Sequence, residues 1–161
     1  MHLGPKGPRP LMPGTLLLCA LCWSAAGRAA EEADHHENGH ANEVAVFFGF
    51  TDEGRDEGFA LGIEYERRLS DSYGVGVLAE RTWRGRDFWV YAIPLTLHVE
   101  RWKFTVAGGV EKGHGNTEGL LRLAVGYEFE VGTMAVIPTL AVDSVAGELI
   151  YIVGVSFGFG F

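Results

Sequence analysis

Glu64, Glu66 and Arg68 stand at two-residue steps in this chain, and Glu80, His98, Lys103, Arg122 and Glu128 follow in later stretches. On extended backbone, residues two apart share a face. A face carrying both signs of charge can pair with itself, because buried charges require partners. The chemistry open to this set is therefore an ion-paired plug or a narrow acidic path for cations. Glu111 and Glu130 enlarge its acidic side. A second cluster, Asp34-His35-His36-Glu37-Asn38-Gly39-His40, gathers imidazoles and carboxylates. His35, His36 and His40 are ligand types for Zn²⁺, Ni²⁺ or Cu²⁺. The cluster has no preformed geometry, and a solvated tail with incidental histidines fits the same composition. No phosphate loop, dinucleotide fingerprint or closed Cys/His motif is present. The expectation is no catalytic set and no cofactor, apart from a divalent metal on that tail.

The charge balance narrows the class of partner. Residues 1–30 hold Lys6, Arg9 and Arg28 and no acid, so the net charge of −8 becomes −11 for the remainder. Nucleic acid, whose phosphates need a basic footprint, is not expected. The same thirty residues read as a secretory signal. Lys6 and Arg9 precede the apolar run Leu16–Trp23, and small residues allow cleavage after Ala26, Ala29 or Ala30. That run is shorter than the roughly 20 residues a spanning helix needs. Both cysteines, Cys19 and Cys22, lie within it, so the exported chain is expected to fold without disulfides. Residues 31–42 are polar and aperiodic and read as a flexible tail.

From Glu43 onward the pattern alternates strictly between apolar and polar or small residues, which is the period of strands. Eight runs can be counted: 43–51, 57–69, 73–82, 87–99, 101–111, 119–130, 133–143 and 147–161. Turn residues separate them. Lys112–Glu118 reads as the longest loop, and connections after odd-numbered runs read as longer than those after even-numbered ones. That asymmetry is expected of membrane barrels.

Sorting by parity gives two unlike faces. One carries Phe48, Phe50, Leu61, Ile63, Trp89, Tyr91, Ile93, Trp102, Phe104, Leu121, Leu123 and Tyr151. The other carries glycines and the charged set above. The interior of an eight-stranded barrel is only just filled by side chains, so the bulky face does not fit inside. It is expected to face hydrocarbon, with glycine and charge in the lumen. Strands of 9–13 residues suffice to cross when tilted, and closure satisfies the backbone groups that lipid cannot. Aromatics fall at both rims, with Phe50, Phe59, Trp89, Tyr91 and Tyr151 at one and Tyr65, Tyr73, Trp102, Tyr127 and Phe159 at the other. The expected fold is an all-β, eight-stranded, antiparallel up-and-down transmembrane barrel over residues 43–161.

The last run, Leu149–Phe161, alternates aromatics and ends in phenylalanine. It resembles the C-terminal assembly signal of outer-membrane barrels, with Tyr151, Phe157, Phe159 and Phe161 in the matching places. Residues 43–161 as a whole resemble the small OmpX-like and OmpA-transmembrane-like barrels. The resemblance implies a bacterial outer-membrane location, outer-membrane lipids and lipopolysaccharide as surroundings, and the barrel-assembly machinery as a partner. Some small barrels of this kind modify lipid A with a His, a Ser and an acid. Here His98 is followed by Val99-Glu100 and His114 by Gly115-Asn116, so the His-x-Ser pattern is absent. Ser156 has no histidine at a recognisable spacing, and a nucleophile needs a base and an orienter beside it. The primary expectation is thus a non-enzymatic envelope barrel, then a barrel with a metal-binding tail, then a lipid A-modifying enzyme. Arg84 and Arg86 are candidate contacts for lipopolysaccharide phosphates.

Overall fold

The computed structural model describes residues 40–52, 57–83, 87–113 and 115–161. The residues read as a signal, most of those read as a tail, with His35 and His36, and Arg84, Arg86 and His114 lie outside the described residues. The strands are β1 (Asn42–Asp52), β2 (Glu57–Arg68), β3 (Tyr73–Trp83), β4 (Asp87–Val99), β5 (Trp102–Gly113), β6 (Asn116–Tyr127), β7 (Phe129–Val131), β8 (Met134–Val145) and β9 (Glu148–Gly160). Consecutive strands pair antiparallel from β1 to β6 and from β7 to β9, and β1 pairs with β9 while β6 pairs with β8, so the sheet closes on itself. β6 and β7 are one stave, since Gly126↔Thr139 and Phe129↔Val136 belong to the same register against β8. Eight staves result.

Register fixes the barrel's dimensions. A line of paired residues runs from Asn42 through Arg67, Val75, Leu95, Val106, Leu123, Val142 and Tyr151, and returns to β1 at Asp52. One circuit therefore climbs ten residues. With ~3.3 Å per residue and ~4.8 Å between strands, this stagger means a tilt of about 41° and a radius of about 8 Å. A twelve-residue strand such as β2 then rises roughly 30 Å, the thickness of the hydrocarbon core. Inside that radius each strand has room for a single layer of side chains.

The faces sort accordingly. Phe50, Tyr151 and Ile93 are 57%, 58% and 60% exposed, whereas Glu66 and Glu80 are 2% and 1% exposed. Apolar residues cover the outside, with Phe50, Phe59 and Trp83 in ring contact at one rim and Trp102, Tyr127 and Phe129 at the other. Exposed apolar surface on that scale needs a partner phase. Pro94 and Pro138 have no N–H to give, and the ladder is interrupted beside each, between β3 and β4 and between β6 and β7.

Three features differ from the sequence reading. Lys112–Glu118 is not a loop, because Lys112↔Thr117 and Gly113↔Asn116 are paired, leaving residues 114 and 115 as the connection. The expected inequality of loop lengths consequently vanishes. What distinguishes the ends is that both termini meet at one of them, where Asn42 and Phe161 exchange backbone hydrogen bonds. The barrel also starts earlier than residue 43: Asn42 lies in β1, and the Ala41 carbonyl accepts from the Arg68 N–H. Ala146 and Gly147 both have positive φ, 51° and 87°, the tight hairpin geometry that follows the strands' twist.

Candidate functional site: the ion-paired lumen

Two charged clusters stand inside the barrel, one toward each end. Toward the end away from the termini, Arg122 on β6 faces Asp143 on β8 as a direct cross-strand pair, and Glu80 reaches it from β3. Arg122 Nε donates to Asp143 Oδ1 at 2.7 Å and Nη2 to Oδ2 at 2.7 Å. Nη1 donates to Glu80 Oε2 at 2.9 Å and Nη2 to Oε1 at 3.1 Å. Two carboxylates thus grip one guanidinium, the planar fork for which arginine is suited. All three side chains are buried.

Near the termini the second cluster centres on Glu66 and Lys103. His98 and Lys103 are cross-strand neighbours on β4 and β5. His98 Nε2 lies 2.6 Å from Glu66 Oε1, and Lys103 Nζ lies 2.7 Å from Glu66 Oε2. Lys103 is also within 3.4 Å of Glu64 and 3.5 Å of Glu43. Arg68 and Glu128 make a looser pair at 3.9 Å nearer the mouth. Gly74 is required here, since a Cβ at that position would lie on the Glu66 carboxylate.

Apolar side chains separate and cap these clusters. Phe47, Leu78 and Ile137 lie between them, around a cavity of about 60 Å³ that also touches Glu64, Lys103 and Arg122. That is room for a few waters. Val90, Leu120, Val145 and Ile150 are buried on the other side of Arg122. The Phe47 ring lies over Gly49 and Gly154, where an added Cβ would come within 2.4 and 2.5 Å of it.

The structure brings Glu64, Glu66, His98 and Lys103 together at one level and Glu80 with Arg122 at another, with Arg68 facing Glu128. Glu43 and Asp143 complete the two clusters; the sequence reading had left both out of the network. Parity could have found them, since each shares the inward face of its strand. The large inward residues Phe47, Leu78, Ile137 and Ile152 were also unforeseen, because the inner face was expected to be small or charged. Tyr151, Phe157 and Phe159 point outward from β9, with Phe157 edge-on to Phe48 at 6.0 Å, and Phe161 is exposed just beyond the strand. His40 packs over Gly160 at the terminus end, and among the described residues no group of three or more potential metal ligands converges.

No protein-family model matches the chain, and no curated protein matches its sequence. Solved structures do resemble it. The N-terminal β-barrel domain of Pseudomonas aeruginosa OprF superposes with a TM-score of 0.56 at 11% identity, covering 74% of this chain and 96% of that one. A de novo designed transmembrane β-barrel gives 0.51 at 12% identity, covering 78% and 99%. Yersinia pestis Ail, in complex with the heparin analogue sucrose octasulfate, gives 0.50 at 7% identity, covering 74% and 96%. The chain has the fold of these proteins: a closed, eight-stranded, antiparallel barrel of the transmembrane kind.

Proposed function

We propose that the chain is a non-enzymatic integral barrel of a bacterial outer membrane, contributing to envelope structure or surface properties, with a lumen closed by ion pairs. The observation that carries this reading is the inverted sidedness: apolar residues line the outside, while Arg122, Glu80 and Asp143 lock together within. A barrel of eight strands leaves no channel once its side chains are packed. His98 pairs with Glu66 inside the lumen, as an interior closed by ion pairs requires. Export by the signal of residues 1–30 would deliver the chain to the periplasm, and β9 with Phe161 would present the aromatic pattern read by the barrel-assembly machinery. The termini would then face the periplasm and the 53–56 and 84–86 connections the exterior, where Arg84 and Arg86 would meet lipopolysaccharide phosphates.

Single-channel recording of the purified mature protein in planar bilayers tests the closed lumen. Silence at moderate voltage is expected. Steady cation-selective steps would overturn it, and the acidic-path reading would take its place.

A further inference from the structure

The outer surface of the barrel is not uniform. One paired row on β2 to β6 reads Leu61, Arg81, Trp89, Lys112, Thr117, all on the outward face and close to the rim away from the termini. Arg81 and Lys112 therefore flank Trp89. The Arg81 guanidinium carbon lies 4.9 Å from the Trp83 ring centroid and 5.6 Å from that of Trp89, which holds the cation against the aromatic rim. Asp87 accepts from Arg81 Nη2, leaving Nη1 without a partner among the described residues. Lys112 is exposed and forms no ion pair among them. Cations facing hydrocarbon are costly at mid-membrane and tolerated near the interface, which is the level where lipid phosphates sit.

The next row toward the termini is Ile63, Ala79, Tyr91, Val110, and beyond it lie the pairs Tyr65↔Val77 and Ile93↔Gly108, on either side of the interruption in the β3–β4 ladder. Small residues, Ala79 and Gly108, sit between large ones, and they open a groove of about 640 Å³ on the outer wall. An added Cβ at Gly108 would meet nothing within 4 Å. The groove lies directly beneath the two cations. On the opposite wall the outward residues toward the same rim are Leu140, Val142, Leu149 and Tyr151, with no cation.

We infer that this wall binds one lipopolysaccharide molecule, with a lipid A phosphate held by Arg81 and Lys112 and an acyl chain lying in the groove along Ala79 and Gly108. The inference rests on the outer-membrane orientation proposed above. Lipopolysaccharide is the occupant because cations at the exterior rim, above an acyl-lined groove, match an acylated phosphate of the outer leaflet. Among the described residues Arg81 and Lys112 face one carboxylate, Asp87, which leaves this set net positive.

Native mass spectrometry of the mature protein in micelles, with bis-phosphorylated hexa-acyl lipid A as the probe, tests it. Wild type should retain one lipid A. Arg81→Gln with Lys112→Gln should weaken retention about fivefold per cation, roughly twenty-five-fold together. Gly108→Leu, whose Cβ would meet nothing within 4 Å and whose branch would extend into the groove, should lower retention with both cations present. Dephosphorylated lipid A should bind like the charge variant. Equal retention by wild type and the double variant would overturn the proposal, as would equal displacement by phosphatidylglycerol or a second copy of the chain. Heat-modifiable gel mobility confirms folding, and the exposed Arg81 and Lys112 keep the test open should the Gly108 variant fold poorly. Lost lipid specificity with a silent lumen would sink this inference alone. Conductance with lipid A retained would sink the closed lumen alone.

Discussion

Replacing Arg122 with methionine removes the one cation between two buried carboxylates. Four charge-assisted hydrogen bonds disappear, each nominally worth about 1.5–3 kcal/mol. The full sum is not realised, because the groups left behind relax and rehydrate in part. Deleting one partner of a buried ion pair costs roughly 3–5 kcal/mol. Urea unfolding of Arg122→Met in lipid vesicles, followed by tryptophan emission, should therefore show a loss of about 3–5 kcal/mol. Adding Glu80→Gln and Asp143→Asn should recover at least half of it, since no uncompensated charge remains. A loss below about 1 kcal/mol, or a triple variant no better than the single one, would refute the reasoning: the cluster would then be hydrated rather than buried.

Gly49→Ala should cost about 1–3 kcal/mol through collision with the Phe47 ring, and Phe47→Ala in the same chain should relieve part of that. A double-mutant cycle checks the coupling, and strict additivity would remove the contact from the account. Phe161→Ala should leave spontaneous folding in detergent unchanged, because the side chain is 64% exposed, while slowing assembly by the cellular machinery. Equal assembly rates would discard the terminal-signal proposal. The metal-tail reading predicts zinc-binding heat that is lost in the mature protein carrying His35→Ala, His36→Ala and His40→Ala. Identical calorimetric traces would eliminate it.

The strands were legible because the two faces differ so strongly in chemistry. β4, with Trp89, Tyr91, Ile93 and Leu95 opposing Val90, Ala92, Pro94 and Thr96, keeps a bulky side and a slim one throughout. Where both faces are apolar, alternation says little. Ile150-Tyr151-Ile152-Val153 is a continuous apolar run, so hydropathy alone does not separate its faces; the structure buries Ile150 and Ile152 and exposes Tyr151. The partners within the lumen depend on the ten-residue stagger, which no single strand encodes. Glu80 and Arg122 are 42 residues apart on strands that do not touch, and they meet only across the closed barrel. Lys112–Glu118 misled for a local reason: Gly, His and Asn suggest a loop, yet cross-strand pairing extends to Gly113 and Asn116. Arg81 was overlooked because its charge interrupts an outward apolar series, and its two tryptophan neighbours come from register and rim position together.

After residue 30 the chain has three tryptophans, Trp83, Trp89 and Trp102, and all three project from the outer wall. Tryptophan emission in vesicles of lipid brominated near the top of the acyl chains measures that sidedness directly. Strong quenching by the brominated lipid, with little by aqueous iodide, is the predicted result. Emission indifferent to bromine and quenched from the water phase would place these rings away from hydrocarbon and contradict the outward-facing apolar wall.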